Sequence, residues 1–235
     1  MSGIRLVGLP GSGKSRFKAA FELAFPQVAM AEYATASSLP LVSQPVRTWC
    51  LVDARYLPED ERSQAWLKNL LQVSTGLIFS FADQADLTLW SQWQAWLNNQ
   101  NVASLPRYRW LSAASLSQWH WEAFDQPVTP AAIGFHEPKW VARDYRFDYA
   151  AGEAPLCLEA LLFGLDSLRQ NLGYSIWRVK GVVRTREYQN PVAIEGQPMA
   201  WDTYADELDG IGFLSVYAET LPEEWLDEIV QASLL

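Results

Sequence analysis

The chain is poor in cysteine, histidine and positive charge. Its 235 residues include two cysteines, Cys50 and Cys157, far apart and outside any CxxC. That excludes a disulfide framework and fits a reducing compartment. The two histidines, His120 and His136, are isolated, and each reads as a surface or packing residue. Lysine and arginine number 18 against 27 acids, a formal net charge of −9, whereas nucleic-acid binding would normally show a basic face. No apolar stretch approaches the roughly 18 residues that a membrane helix needs. The N-terminus lacks the basic head and apolar run of a signal peptide. A cytoplasmic protein with neither membrane nor nucleic-acid partner is expected.

Aromatic residues, in contrast, are plentiful. Hydrophobic residues make up 49% and charged ones 19% of the chain, the balance of a folded globular protein. The twelve tryptophans are about four times what average composition supplies. Trp90, Trp93 and Trp96 recur at helical spacing in DLTLWSQWQAWLNNQ. They read either as the core face of a helix or as a tryptophan-rich surface for a protein partner, and spacing alone leaves both open.

Over residues 1–125, apolar strand-like runs alternate with helical patterns. IRLVGL, QVAMAEYA, VRTWCLVDA, TGLIFSFA and PRYRWLSA read as strands. GKSRFKAAFELAF, PEDERSQAWLKNLLQ, the tryptophan segment and SLSQWHWEAF read as helices. This alternation predicts an α/β domain with a mostly parallel sheet. DQPVTPAAIGFHEP, with three prolines, a glycine and no periodicity, marks a linker at 126–138. Over 139–235, KWVARDYRFDYA, SIWRVKGVVRT, NPVAIEGQPM and GIGFLSVYAE read as strands. PLCLEALLFGLDSLRQNLG, stopped by Gly173, and PEEWLDEIVQASL read as helices. Strands in succession predict a small α+β domain with an antiparallel sheet.

The segment most specific to a chemistry is GLPGSGKS, residues 8–15, directly after the strand Ile4-Arg5-Leu6-Val7. A phosphate cradle needs a strand, a glycine-rich turn and a helix start in that order. Glycines let backbone N–H groups converge on phosphate oxygens, and the helix N-terminus adds partial positive charge. Lys14 can reach the β- and γ-phosphates, and the Ser15 hydroxyl can bind Mg²⁺. Gly8, Gly11, Ser12, Gly13, Lys14, Ser15 and Arg16 are therefore the candidate nucleotide-binding residues. Asp53, ending the apolar run TWCLVD, is a candidate Mg²⁺ ligand beside Ser15; its alternative is a turn or helix cap. Glu32, in MAEYA, is a candidate to assist the metal or the attacking water, or else a solvated acid. Asp83 reads as a helix cap. Lys14, Asp53 and Glu32 form the candidate catalytic set.

These segments resemble the CobW family of P-loop GTPases, in a short and divergent form. GLPGSGKS resembles the family's P-loop, and MAEYA its Asn-Glu-Phe-Gly segment, with Glu32 matching the acid and Tyr33 the aromatic. LVDA and LIFSFAD match the two following strands, and Arg178 to Gly181 match the Arg-Val-Lys-Gly of the family's C-terminal domain. The resemblance implies GTP and Mg²⁺ as ligands, GTP hydrolysis and a link to metal homeostasis. The chain departs from the family in three places. It has no Cys-x-Cys-Cys metal motif. It has no Asn-Lys-x-Asp guanine-reading motif after PRYRWLS. It carries Asp53 where the family has a glutamate followed by a glycine. Slow turnover and weak preference for GTP over ATP are the expectations, with a non-catalytic nucleotide-binding or scaffold protein as the alternative.

Overall fold

The computed structural model describes residues 3–33, 47–100, 102–124, 140–197 and 200–235. The chain divides into two compact units, Met1–Glu137 and Pro138–Leu235. The linker expected at 126–138 lies outside the described residues, as does His136.

The first unit is a five-stranded parallel sheet with helices. Its elements are β1 (Ile4–Val7), α1 (Lys14–Ala24), β2 (Met30–Glu32), β3 (Arg47–Asp53), α2 (Glu61–Gln72), β4 (Gly76–Ser80), α3 (Leu87–Asn99), β5 (Arg107–Arg109) and α4 (Ala113–Leu116). The strand order is β2-β1-β3-β4-β5, with every pair parallel. β4 is buried along its whole length and β3 beyond its first residue, as expected of central parallel strands covered on both faces. From β1 the chain passes to β2 on one side and then to β3 on the other. The carboxyl ends of β1 and β3 thus meet at a topological switch point, where open α/β sheets form their crevices.

Much of the aromatic excess fills this unit's core. Trp49 lies 5.3 Å edge-on from Phe21, 5.2 Å from Trp119 and 5.6 Å from Phe124. Trp93 and Trp96 of α3 are buried, and Trp93 donates its indole N–H to the Ala54 carbonyl at 3.1 Å. These two tryptophans are core residues; Trp90 is partly exposed. Aromatic packing also splits the helix expected over SLSQWHWEAF. α4 ends at Leu116, and a separate 3₁₀ turn, Trp121–Phe124, lays the Phe124 ring directly over Gly76. The cap of α3 is Asp86, which accepts from Leu89 N at 2.8 Å, so the expectation for Asp83 is corrected by one helical turn.

The second unit is an antiparallel sheet with two helices. It comprises β6 (Val141–Asp148), α5 (Leu158–Gln170), β7 (Ile176–Val183), β8 (Val192–Gly196), β9 (Trp201–Ala205), β10 (Ile211–Ala218) and α6 (Glu223–Leu234). The order is β6-β10-β7-β8-β9. Leu158, Leu161, Leu165 and Leu168 of α5 meet Leu226 and Val230 of α6 and alternate strand residues such as Val192 and Ile194, or Leu214 and Val216. Arg143 of β6 and Asp227 of α6 pair through two close contacts, at 2.9 and 2.7 Å, and the Tyr145 hydroxyl donates to the same carboxylate at 2.8 Å. These bonds hold the Asp227 carboxyl below the usual carboxylate range.

Gly181 of β7 stands where no side chain fits. A Cβ there would lie 2.6 Å from the Phe213 carbonyl oxygen, which is backbone of the neighbouring strand. Gly181→Ala should therefore destabilise the unit by about 1–3 kcal/mol, outweighing the roughly 0.5–1 kcal/mol that alanine gains over glycine inside a strand. Thermal melting of the full chain should show the drop, and an unchanged Tm would contradict this strand spacing.

Candidate functional site

The glycine-rich turn joins β1 to α1. Its shape depends on Gly8, Gly11 and Gly13, whose φ angles of 155°, 76° and 84° lie where side-chain-bearing residues are rarely found. At Gly8 an added Cβ would fall 2.2 Å from the Leu51 carbonyl oxygen of β3. On the other side, the buried Ser80 hydroxyl lies 2.7 Å from the Ser12 carbonyl and 3.0 Å from the Val52 carbonyl. The turn is thus held against the ends of β3 and β4. Ser12 is itself buried, and its hydroxyl has no hydrogen-bond partner among the described residues.

Lys14 folds back over this turn. Its ammonium donates to the Gly8 carbonyl at 3.0 Å and the Leu9 carbonyl at 2.9 Å, and the residue is 6% exposed. A buried ammonium needs such acceptors, because burying a charge without partners is costly. α1 begins at Lys14 with no acidic side chain in its first turn, so its positive end is not neutralised from within the helix.

Ser15 and Glu32 meet. The Ser15 hydroxyl donates to a Glu32 carboxylate oxygen at 2.8 Å. Tyr33 N–H donates to the Leu6 carbonyl at 2.9 Å, which extends the β2–β1 pairing by one bond. Two hard oxygen donors therefore lie together at the start of α1, the donor type that Mg²⁺ takes.

Asp53 has a different environment. One carboxylate oxygen accepts from Arg55 N at 2.9 Å and from Arg55 Nε at 3.1 Å; the other accepts from Nη2 at 2.8 Å. The two side chains are 7% and 13% exposed. In this arrangement both oxygens of Asp53 are engaged by a cation of the chain itself. Ser15 and Glu32 could offer oxygens to Mg²⁺, whereas Asp53 is engaged by Arg55.

Two arginines share an aromatic ring at this end of the sheet. The Arg55 guanidinium lies 3.9 Å over Phe81, and that of Arg16 lies 4.9 Å from both Phe81 and Trp110. Phe81 follows β4 with φ 51°, the one non-glycine residue with positive φ among those described. Its ring borders the turn: a Cβ on Gly13 would lie 3.4 Å from it. Arg55 and Phe81 are the residues that sequence reasoning missed. The only signal was an acid, a spacer and an arginine ending a buried strand.

In the described region after β5, where a guanine-reading acid is absent, Ser115 and Ser117 spend their hydroxyl protons on nearby backbone. Ser115 Oγ donates to the Ser112 carbonyl at 2.6 Å and meets the Tyr108 hydroxyl at 3.0 Å; Ser117 Oγ donates to the Ala114 carbonyl at 2.9 Å. No group of three or more His, Cys, Asp or Glu suited to a metal ion occurs among the described residues, and His120 is exposed.

No protein-family model and no curated protein matches the chain. Among solved structures it is similar to the zinc-bound YjiA GTPase from E. coli and to a zinc-bound triple mutant of that GTPase. Both are 10% identical and align over 99% of this chain and 90% of the other, with TM-scores of 0.36 and 0.37.

Cys50 lies in the core of β3, and burial pushes its thiol up to about 12, against a smaller opposing effect of the Lys14 charge. It is therefore a neutral thiol near neutral pH, unsuited to metal ligation. Iodoacetamide should modify the half-buried Cys157 and spare the buried Cys50 until the chain is denatured. Modification of both thiols in the native protein would contradict this placement.

Proposed function

We propose that residues 8–15 bind the phosphates of a nucleoside triphosphate, with GTP favoured, and that the chain hydrolyses it slowly. The observation that supports this most directly is the buried Lys14 ammonium, poised over a turn shaped by three positive-φ glycines at the head of an 11-residue helix. Moving from two neutral carbonyls to phosphate oxygens would pair the ammonium with acceptors that carry opposite charge. Backbone N–H groups of the turn and of the first turn of α1 would receive the remaining oxygens.

In this reading residues 1–125 are the nucleotide domain and 139–235 a CobW-like C-terminal domain. Ser15 and Glu32 would hold Mg²⁺, which when bound neutralises charge on the β- and γ-phosphates. Glu32 is also the acid best placed to orient a water, since its carboxylate already sits on Ser15. Asp53 would join them once Arg55 releases it. The link to metal homeostasis follows from the CobW resemblance, and a cytoplasmic role from the scarcity of cysteine and the lack of a signal-peptide pattern. A protein partner would use surfaces other than Trp93 and Trp96, such as the half-exposed Trp225. No described helix is long and apolar enough to cross a membrane.

One observation favours the alternative, a nucleotide-binding protein without turnover: the engagement of Asp53 by Arg55. Phosphate release under saturating nucleotide separates the two readings.

Competition of GTP and ATP against one fluorescent triphosphate tests binding and base choice together. Lys14→Ala should weaken both nucleotides on the order of 10- to 100-fold, the loss of one charged hydrogen-bonding group, without unfolding the chain. With no acid to read guanine, wild type should prefer GTP by no more than about tenfold. Unchanged affinity in Lys14→Ala would remove the cradle, and a thousandfold preference would show that other residues read the base.

A further inference from the structure

We propose that the cavity between β5 and α3 binds a small organic anion, one carboxylate or phosphate group joined to an apolar body. The inference stands apart from the nucleotide reading, because this cavity opens on the sheet face opposite α1.

The sequence of β5 sets the chemistry. Its three residues are Arg107, Tyr108 and Arg109, at the edge of the sheet. Alternation sends Tyr108 to one face and both arginines to the other. Tyr108 joins Ile78 and Trp110 in the core that holds Phe17 and Phe21 of α1. Arg107 and Arg109 are in register with Leu77 and Phe79 of β4. The Phe79 ring packs 4.9 Å from Trp90 and 5.5 Å from Trp93 of α3. The two arginines therefore share the α3 face and line a cavity of about 410 Å³ there. That volume falls in the range of small-molecule sites.

What the cavity lacks is an anion. α3, LTLWSQWQAWLNN, carries no acidic or basic side chain, and no acid is among the described residues lining the cavity. Arg107 spends two of an arginine's five N–H groups on neutral acceptors, Gln94 Oε1 at 2.6 Å and the Ala103 carbonyl at 3.1 Å. Burial pulls its pKa below the ordinary value, an effect that a bound anion would oppose. The Arg109 guanidinium lies 3.9 Å over the Trp90 ring, and among the described residues it has no hydrogen bond or ion pair. Stacking leaves its N–H edge able to donate, the fork that matches a carboxylate or phosphate. Two like charges on one face repel, in a chain where acids outnumber bases 27 to 18. Charges on an edge strand also discourage pairing with another chain. That role needs neither a cavity nor an arginine laid over a tryptophan. Below the cations, Phe79, Trp93 and Leu97 give the cavity an apolar floor, which an inorganic ion would leave uncovered.

The test is titration of benzoate and of phenyl phosphate into the ¹⁵N-labelled full chain, with neutral benzyl alcohol as control, read on the Trp90 indole N–H. Both anions should shift this signal saturably, and the tighter one identifies the preferred oxyanion. Benzyl alcohol should bind at least about tenfold more weakly. Arg109→Ala should weaken both anions about tenfold. Arg109→Lys, which keeps the charge and loses the fork, should weaken them about threefold. Arg109 is exposed, so both variants should fold; circular dichroism checks this, and Arg109→Lys decides the matter if Arg109→Ala does not fold. Lys14→Ala should bind both anions as wild type does, which separates this cavity from the cradle. No saturable shift with either anion would overturn the inference. So would benzyl alcohol binding as tightly as the anions, unchanged affinity in the Arg109 variants, or loss of binding in Lys14→Ala. None of these outcomes bears on nucleotide binding at the turn.

Discussion

The closeness of the Gly8 backbone to the Leu51 carbonyl is the constraint on which the site depends. A Cβ at that position would sit 2.2 Å from an oxygen that belongs to a buried central strand, so neither side can yield. Because the chain passes so near β3, the turn folds tightly. The Ser12 carbonyl comes within reach of the Ser80 hydroxyl. Lys14 then has nowhere apolar to go and satisfies its charge on the carbonyls of the turn itself. Shape, helix start and cation position follow from one steric contact.

Charge distribution gives the site its particular character. The chain is strongly acidic overall, yet three cationic side chains, Lys14, Arg16 and Arg55, gather where the strand ends meet. The acids there are already committed: Glu32 receives Ser15, and Asp53 receives Arg55. In the proposed reading, such a site would attract an anion and offer a metal ion only part of a ligand set. Cys50, one strand position beyond Trp49 and close enough to sense the Lys14 charge, stays a neutral core thiol through burial. The sulfur chemistry associated with the CobW family has no counterpart among these residues.

How much of this was legible in the sequence depended on how local each signal is. β1, β3 and β4 are short apolar runs ended by turn residues, and α2 carries its own cap, Asp60 accepting from Ser63 N at 2.7 Å; such features are written within a few neighbouring residues. β9 was missed because WDTYA is a short edge strand with no fully buried residue, ordered by its pairing with β8 and by the packing of Trp201 against the core. The SLSQWHWEAF segment was read as one helix because its spacing permits one, but Trp49 and Gly76, far away in sequence, draw its rings into the core. At the site, the candidate residues of the turn could be named because a phosphate cradle is contiguous. Arg55 and Phe81 could not be named, since the stacking that gives them a role joins the ends of β3 and β4. Asp53 was visible as an acid at a strand end, but its partner was not.

The account's central claim is that the turn after β1 is the place where a triphosphate is held. The most direct measurement is a map of backbone amide chemical shifts in ¹⁵N-labelled protein as a non-hydrolysable GTP analogue is added. The account predicts that the largest shifts fall on Gly8, Gly11, Ser12, Gly13, Lys14 and Ser15. Saturable binding that leaves these amides unmoved would contradict it.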